Sequence, residues 1–278
     1  MVYFPSYHMK ILVTHINPHL DDIASIWFFK RFHPEFGDAK IEFVSASHNL
    51  AAKEENKEKI FLGTGGGEFD EHKEGLMTCA GTLVYEYLKK EGFIPDDEIT
   101  RKALDVLVEW NQLIDTGKAP ETEFSEFSVQ SFIRCKDSNP ESCQKSVNLG
   151  IEILNRILSV LKREQHSLKD WDKKVEFDSK FGKSYAVVSE NIDREFCKRQ
   201  GGDLFIIYHS KHQSVQFFTP SFKIDLEPIF KKLKSLDPEA SWFLHQSHHM
   251  ILCGSASAPD SKSTKLSFEE LIEIAKSL

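Results

Sequence analysis

Short apolar runs and longer amphipathic stretches alternate along the first half of the chain. The short runs predict strands at residues 11–14, 41–45 and 60–62, because polar or turn-forming residues bound each of them. The amphipathic stretches predict helices at 22–32, 78–90 and 96–114. Strands separated by helices in this order are typical of a parallel sheet with helical crossover connections.

A second series of strands and helices follows a polar, acidic connection at 116–140. From Pro140, apolar residues recur at three- and four-residue spacing and predict a long helix over about 141–164. The polar tract 162–174 is predicted to be a linker. Strands are predicted at 185–188, 204–208, 215–218 and 242–252, and helices at 191–199, 225–236 and 268–278. We therefore predict an α/β protein with a parallel-sheet domain over 1–165, a smaller α/β domain over 175–278 and a cleft between them.

Composition narrows the class of protein further. The net charge of −8 disfavours a surface that holds duplex nucleic acid by bulk electrostatics, although it is compatible with a local basic channel. No apolar stretch is long enough for a membrane-spanning helix, and the N-terminus lacks the layout of a signal peptide. Five scattered cysteines fit reduced thiols, so we expect a cytoplasmic protein without membrane contacts. A homodimer is compatible with these features.

Two histidines and two carboxylates follow the first predicted strand: His15, His19, Asp21 and Asp22. Open α/β sheets bind their ligands at this edge, where the strands end. Imidazole and carboxylate groups are common ligands of divalent metal ions, so we predict a metal site here. The alternative is that Asp21 or Asp22 caps the helix that follows, which accounts for neither histidine.

A glycine-rich segment after the third predicted strand carries Glu68, Asp70, Glu71 and His72. It is either a flexible turn with a solvated acidic loop, or a loop that places its acids and His72 beside the first cluster. Glycine-rich loops also bind phosphate through backbone N–H groups, but the Walker pattern is absent. Asp115, which precedes Thr-Gly, is either a turn residue or a further acid of the same site.

The C-terminal half contains a histidine-rich segment, His245-Gln-Ser-His-His. On the strand predicted there, His245, Ser247 and His249 share one face, and His248 lies on the other. These residues are either surface histidines or polar groups that bind a substrate.

These motifs resemble those of the DHH phosphoesterase superfamily. The segment from His15 to Asp21 resembles its first motif, His-x-x-x-Asp-x-Asp, with His19 in place of the first aspartate. Asp70-Glu-His resembles its Asp-His-His motif, and Asp115-Thr-Gly resembles its motif of an aspartate before a small residue and glycine.

Within the superfamily, the chain is most similar to the branch of melanocyte-proliferating-gene exonucleases. The residues that carry this similarity are Thr14-His15, the later His-x-Asp, the glycines before the acidic loop, and Phe243-Leu-His245-Gln-Ser247. The resemblance implies a DHH-like N-terminal domain and a C-terminal domain that binds the substrate across a cleft.

The resemblance also implies a two-metal phosphoesterase that uses Mn²⁺ or Mg²⁺. The implied metal ligands are His15, His19, Asp21, Asp70, Glu71 and Asp115, with Glu68 and Asp22 as weaker candidates. His72 and Asp21 would act in catalysis, and the implied substrate-binding residues are His245, Ser247 and His249. The substrate would be a small phosphorylated molecule or a short oligonucleotide, cleaved at a phosphodiester or phosphomonoester bond, as by a 3′–5′ exonuclease.

The chain departs from the superfamily at two ligand positions. Gly63 stands where the second motif supplies an aspartate that bridges the two metals, and Glu71 replaces a histidine ligand. Glu68 is the candidate that would compensate for the missing aspartate. A third reading is therefore a degenerate phosphoesterase that binds a nucleotide or a metal without turnover.

A different family competes for the first cluster. Pro18-His-Leu-Asp-Asp resembles the Pro-His-x-Asp-Asp motif of the GlcNAc-phosphatidylinositol de-N-acetylases (PIG-L). That resemblance implies one Zn²⁺ held by His19, Asp22 and a downstream histidine, with Asp21 as general base. It leaves His15, the acidic loop and the C-terminal half unexplained.

Overall fold

The chain divides into two compact units, Met1–Lys162 and Arg163–Leu278. The computed structural model describes residues 9–46, 50–73, 77–121, 123–254 and 257–278. The class is mixed α/β, with a parallel three-stranded sheet in the first unit and a separate mixed sheet in the second. The predicted α/β class is therefore confirmed at this level. None of the helices within the described ranges is long and apolar enough to cross a membrane.

The first unit is built around a small parallel sheet with β1 at its centre. Its elements in chain order are β1 (Ile11–His15), α1 (Leu20–Phe32), β2 (Lys40–Val44), α2 (Ala51–Glu54), β3 (Lys59–Phe61), α3 (Ala80–Lys90), α4 (Glu98–Asp115), a 3-10 turn (Ser125–Phe127), α5 (Val129–Ile133) and α6 (Pro140–Trp171). The strand order is β2-β1-β3, and both neighbours of β1 run parallel to it. This topology places His15 at the carboxyl end of the central strand.

Helix α1 is the buried centre of the first unit. Every residue from Leu20 to Phe29 is buried, so the helix is surrounded by protein rather than presenting one apolar stripe. It ends at His33, whose extended backbone suits a residue before proline. The large aromatic side chains Trp27, Phe28 and Phe29 pack with α3, α4 and α6 into one core.

Helix α6 corrects the prediction of a linker. The tract expected to connect the domains, 162–174, is helical as far as Trp171, because α6 runs without interruption from Pro140. Lys, Arg, Glu and Gln are good helix formers, so a polar tract of this composition extends a helix readily. Ser167 and Trp171 in this extension are buried, which gives it an inward face within the second unit.

The second unit is a six-stranded sheet with helices on both faces. Its elements after α6 are β4 (Val175–Ser179), β5 (Gly182–Val188), α7 (Arg194–Lys198), β6 (Leu204–His209), β7 (Ser214–Phe218), α8 (Glu227–Leu236), β8 (Phe243–Leu244), β9 (Met250–Cys253) and α9 (Phe268–Lys276). The strand order is β4-β5-β6-β7-β9-β8, and only β5 and β6 are parallel among the neighbours.

Alternate side chains of the central strand β6 point to opposite faces of this sheet and pack into two separate hydrophobic cores. Leu204 and Ile206 face the core that contains α8 and α9, and Phe205 and Ile207 face the core that contains Trp171. Burial of both faces explains why these strands have continuous apolar sequences.

The strand predicted over 242–252 is wrong. The segment forms two short strands, β8 and β9, with a turn between them, and the backbone N–H of His248 donates to the carbonyl of His245 at 2.8 Å. His248 has a positive φ of 57°, which a strand residue does not adopt. His245, Ser247 and His249 therefore lie on a turn and not on one face of a strand.

A candidate metal centre in the first unit

One cleft at the carboxyl end of β1 gathers most of the predicted site residues. Its volume is about 490 Å³. Its lining includes residues from the β1–α1 loop, the acidic loop and the end of α4: His15, His19, Asp21, Asp22, Glu71, His72, Lys73, Met77, Thr78, Asp115 and Thr116. Three segments that are far apart in the sequence thus meet at one point of the first unit.

The half-buried His15 and the buried Asp22 form a pair in the cleft. The His15 Nδ1 atom donates to the carbonyl of Ile16 at 2.7 Å, and Nε2 lies 3.0 Å from Asp22 Oδ2. The hydrogen bond to Asp22 is the main reason why the pKa of His15 is raised to about 9. A histidine whose Nδ1 is held by a backbone carbonyl presents Nε2 to a metal ion, which is the usual arrangement in metal sites.

Asp22 also lies in the first turn of helix α1 and takes part in capping it. Its Oδ2 accepts a hydrogen bond from the backbone N–H of His19 at 2.7 Å, which forms a capping box, and its Oδ1 accepts from the Thr14 hydroxyl at 3.0 Å. The capping interpretation is therefore correct for Asp22, and it holds together with the contact to His15.

Asp21 connects α1 to two other helices. Its carboxylate accepts hydrogen bonds from the backbone N–H groups of Ala80 at 2.8 Å and Gly81 at 2.9 Å, and from Asn111 Nδ2 at 2.6 Å. The first two donors form the N-terminal turn of α3, so Asp21 caps that helix from outside its own sequence. Burial, followed by the nearby charge of Asp22, raises the pKa of Asp21 to about 6.

Glu71 and Asp115 complete an acidic group with Asp21. The nearest oxygens of these three carboxylates lie within 4.8 Å of one another. Burial raises the pKa of both residues, for Glu71 to about 7, and the neighbouring aspartates raise each of them further. Glu71 Oε2 is buried and has no hydrogen-bond partner among the described residues.

Asp70 stabilises the acidic loop (residues 68–72) through hydrogen bonds to its own neighbours in the sequence. Its oxygens accept hydrogen bonds from the backbone N–H groups of Gly66 at 2.7 Å and His72 at 3.0 Å, and His72 Nδ1 lies 3.0 Å away. Burial raises the pKa of Asp70, but these hydrogen bonds outweigh it and the net shift is downward. Asp70 thus orients His72, and it does not line the cleft.

Gly63 lies against Asp22, and its conformation excludes a side chain. Its φ is +62°, and a Cβ atom there would collide with Asp22 Oδ1. Glu68 lines a separate cavity with Phe29, Phe36 and Tyr87. Glu68 is therefore not positioned to supply the carboxylate that the resemblance implies at Gly63, and the charged group next to Gly63 is Asp22.

The donors around the cleft fit divalent cations in two groups. The first consists of His15, His19 and Asp22, and the second of Asp21, Glu71 and Asp115; within each group the nearest donor atoms lie within 4.8 Å of one another. Mixed imidazole and carboxylate donors suit Mn²⁺ or Zn²⁺, and an all-carboxylate group suits Mn²⁺ or Mg²⁺. The unpartnered oxygen of Glu71 and the raised pKa values of three acids are the features that a bound cation would relieve.

The predicted substrate-binding residues lie in the second unit. The turn between β8 and β9 brings His245 Nδ1 within 2.8 Å of Ser247 Oγ, and that hydroxyl also accepts from the backbone N–H of His249 at 3.3 Å. They line a cavity of about 240 Å³ together with Arg194 and Lys198. His248 is directed elsewhere and contacts Asp225 at 3.0 Å.

Two residues of the centre were not predicted from the sequence. Thr14 binds Asp22, and Asn111 binds Asp21 and Cys79 Sγ. Asn111 falls on the apolar stripe of α4, in register with Leu104 and Leu107. A polar residue on such a stripe is the signal that could have identified it, because buried polar groups require a partner.

No protein-family model matches this chain, and no curated protein matches it closely enough to be a relative.

Proposed function

We propose that the first unit is the catalytic domain of a metal-dependent phosphoesterase of the DHH type, with Mn²⁺ or Mg²⁺ as its cofactor. The observation that carries the proposal is the meeting of two donor groups, one with two histidines and one of three carboxylates, in a single cleft. The positions that resemble the first, third and fourth motifs of the superfamily all contribute to that cleft.

Hydrolysis of a phosphate ester requires a water oxygen to bond to phosphorus while the ester oxygen leaves with a proton. Two bound ions would supply an activated water and would neutralise charge on the phosphoryl oxygens. His15, His19 and Asp22 would hold one ion, and Asp21, Glu71 and Asp115 would hold the other. The hydrogen bond from His15 Nδ1 to Ile16 keeps Nε2 directed at the site.

His72 would protonate the leaving oxygen, because it lines the same cleft. Its Nδ1 lies 3.0 Å from Asp70 Oδ1 and 3.3 Å from Glu71 Oε1, and the side chain is exposed in the cleft. Burial opposes protonation of His72, but Glu71 and Asp70 outweigh it and raise its pKa, which favours the imidazolium that this role needs. Lys73 lines the same cleft and adds a positive charge for a phosphoryl group.

The cavity of the second unit is a separate candidate for binding an anionic ligand. His245, Ser247 and His249 share their cavity with two cationic side chains, Arg194 and Lys198, as an anionic ligand requires. A short oligonucleotide or another phosphorylated molecule fits this chemistry.

Metal content is the first test. Protein stripped with a chelator, loaded with Mn²⁺ and desalted should retain about two ions per chain, the number that a two-metal site holds. Glu71→Gln should lose manganese and the hydrolysis of phosphate esters. Glu68→Gln is the matched control, because this nearby acid lines another cavity. Wild-type protein that retains no manganese, or equal losses in the two variants, would refute the two-metal site.

A single-zinc hydrolase is the second candidate. His15, His19 and Asp22 form a histidine-rich group of the kind that binds one Zn²⁺. The third ligand would then be His15 rather than a downstream histidine. Asp21 is held by three donors, so Glu71 is the better general base. One tightly held zinc, with deacetylation of N-acetyl sugars and no phosphate release, would favour this function over the phosphoesterase.

A third outcome is a binding protein without turnover. In that case the protein retains manganese but hydrolyses none of the phosphodiesters, phosphomonoesters and N-acetyl sugars tested. Asp21→Ala would then lower the stability of the fold and would have no turnover to remove.

A further inference from the structure

A second cavity adjoins the metal cleft and shares three residues with it. His19, Asp21 and Asp115 line both spaces. The second cavity has a volume of about 290 Å³. Its wall is apolar where Pro18, Leu20, Ile114 and Ile133 line it, and its polar groups come from Asn111, Gln130 and Arg134. The two spaces therefore lie next to each other in the first unit and differ in chemistry.

Asn111 forms part of the wall of this cavity. Its side chain is 1% exposed, and Nδ2 is taken by Asp21 and Cys79. Its Oδ1 is buried and has no partner in the parts of the chain that the structure describes. Asn111 therefore holds Asp21 in place, and Gln130 and Arg134 are the polar side chains of this cavity that can contact a ligand.

Arg134 offers the same cavity an unpaired positive charge. It is exposed at the end of α5, and no carboxylate of the described residues lies within ion-pair distance of it. Unpaired arginine is notable in a chain with a net charge of −8. A guanidinium group binds phosphate or carboxylate through paired hydrogen bonds, and Gln130 beside it supplies a further amide donor.

We propose that this cavity is a subsite for a second anionic group of the substrate, so that the enzyme selects phosphate esters whose alcohol part carries another phosphate or carboxylate. Arg134 and Gln130 bind that group. The inference rests on the proposed phosphoesterase function, because the metal cleft holds the phosphoryl group that is cleaved.

The test compares ligands with one and two anionic groups. Phenyl phosphate carries one, whereas a nucleoside 3′,5′-bisphosphate carries a second phosphate and 3-phosphoglycerate a carboxylate. Binding to Mn²⁺-loaded protein is measured by calorimetry, and phosphate release is measured separately. Arg134→Ala should weaken binding of the bisphosphate or of the phosphoglycerate about tenfold, the loss expected for one charge-assisted hydrogen bond. Phenyl phosphate should bind and react unchanged.

Controls separate the subsite from the function. Lys136→Ala removes a nearby exposed charge that does not line the cavity, and it should have no effect. Hydrolysis of phenyl phosphate with no effect of Arg134→Ala on either doubly anionic ligand would overturn the subsite and leave the function standing. Absence of hydrolysis with binding that depends on Arg134 would overturn the function and leave an anion-binding site. Equal weakening by Arg134→Ala and Lys136→Ala would overturn the subsite as well, because only general electrostatics would remain.

Discussion

The backbone at Gly63 takes the space that a side chain would need. Gly63 has a left-handed conformation, and its α-carbon packs so closely against Asp22 that a Cβ atom would strike Oδ1. Asp22 in turn caps the first turn of α1 through the backbone N–H of His19, and it contacts His15 Nε2. The glycine at this position is therefore linked to the arrangement of the first donor group.

We expect Gly63→Ala to destabilise the protein more than a left-handed conformation alone explains. That conformation costs a non-glycine residue about 1–2 kcal/mol, and displacement of Asp22 adds to it. Gly92→Ala and Gly117→Ala are matched controls, because both glycines have positive φ and neither has an atom within 4 Å of a built Cβ. Urea denaturation of the three variants gives the comparison, and equal losses of stability would contradict the steric argument.

Substitutions of Asp21 and Glu71 should have different effects on the stability of the metal-free protein. Asp21→Asn places an amide against three donors and should lower the free energy of unfolding by about 1–3 kcal/mol, even in a chelator. Glu71→Gln removes one of several crowded carboxylates and should leave the metal-free stability unchanged or raise it. Thermal unfolding in EDTA distinguishes them, and a loss of stability in both variants would indicate that Glu71 is structural too.

At the scale of elements, the apolar pattern was sufficient where burial decides the conformation of a segment. The strands of the parallel sheet and helices α3 and α4 lie where the apolar pattern predicts them. The pattern failed where burial does not decide the conformation. Helix α6 continues through a polar tract because its residues are good helix formers. Strand β4 was missed because it is an edge strand with Phe177 as its one buried residue.

In the candidate site, too, some features could be predicted from the sequence and others could not. His15, His19, Glu71, His72 and Asp115 were predicted by residue type and position, and the fold gathers them in one cleft. The partners of Asp21 could not be predicted, because they are backbone N–H groups of α3 and a side chain 90 residues away. Such contacts depend on how helices pack, which the local sequence does not encode.

The contact between α1 and α6 predicts an unusual effect of alanine in a helix. Glycine to alanine normally stabilises a helix by about 1 kcal/mol. At Gly150 a Cβ atom would lie 2.6 Å from Ile23 Cγ2 on α1, so Gly150→Ala should destabilise the protein by about 1–3 kcal/mol through overpacking. Leucine lacks that methyl group, so Ile23→Leu in the same chain should recover part of the loss in a double-mutant cycle. A stabilised Gly150→Ala protein would show that the helices separate without cost.

For the whole molecule, protonation of Asp21, Glu71 and His15 in the cleft should control how the free energy of unfolding depends on pH in the absence of metal. Raised pKa values mean that the folded protein binds protons more tightly than the unfolded chain. Proton binding by these groups therefore stabilises the fold at low pH, and the stabilisation is lost as the pH rises. Asp21 should contribute up to about 3 kcal/mol, lost as the pH rises from its ordinary value of 3.8 through about 6. The contribution of Glu71 is lost through about 7, and that of His15 from 6.5 through about 9.

Calorimetric melting temperatures at pH 6 and pH 9 in EDTA measure this effect. We expect a lower melting temperature at pH 9 for the wild-type protein and a smaller difference for Glu71→Gln. Mn²⁺ should reduce the difference further, since bound cations replace the protons. A melting temperature that is higher at pH 9 would show that groups outside the cleft dominate.

Asp21 and Asp22 are consecutive, yet they serve different parts of the first unit. Asp22 joins α1 to the central strand, and Asp21 joins it to α3 and α4. Natural selection for a folded protein would therefore preserve both carboxylates in a lineage that had lost its chemistry. Among descendants of this chain, the exposed residues His19 and His72 should be the first to drift once activity ceases, and their retention is the better evolutionary marker of a working enzyme.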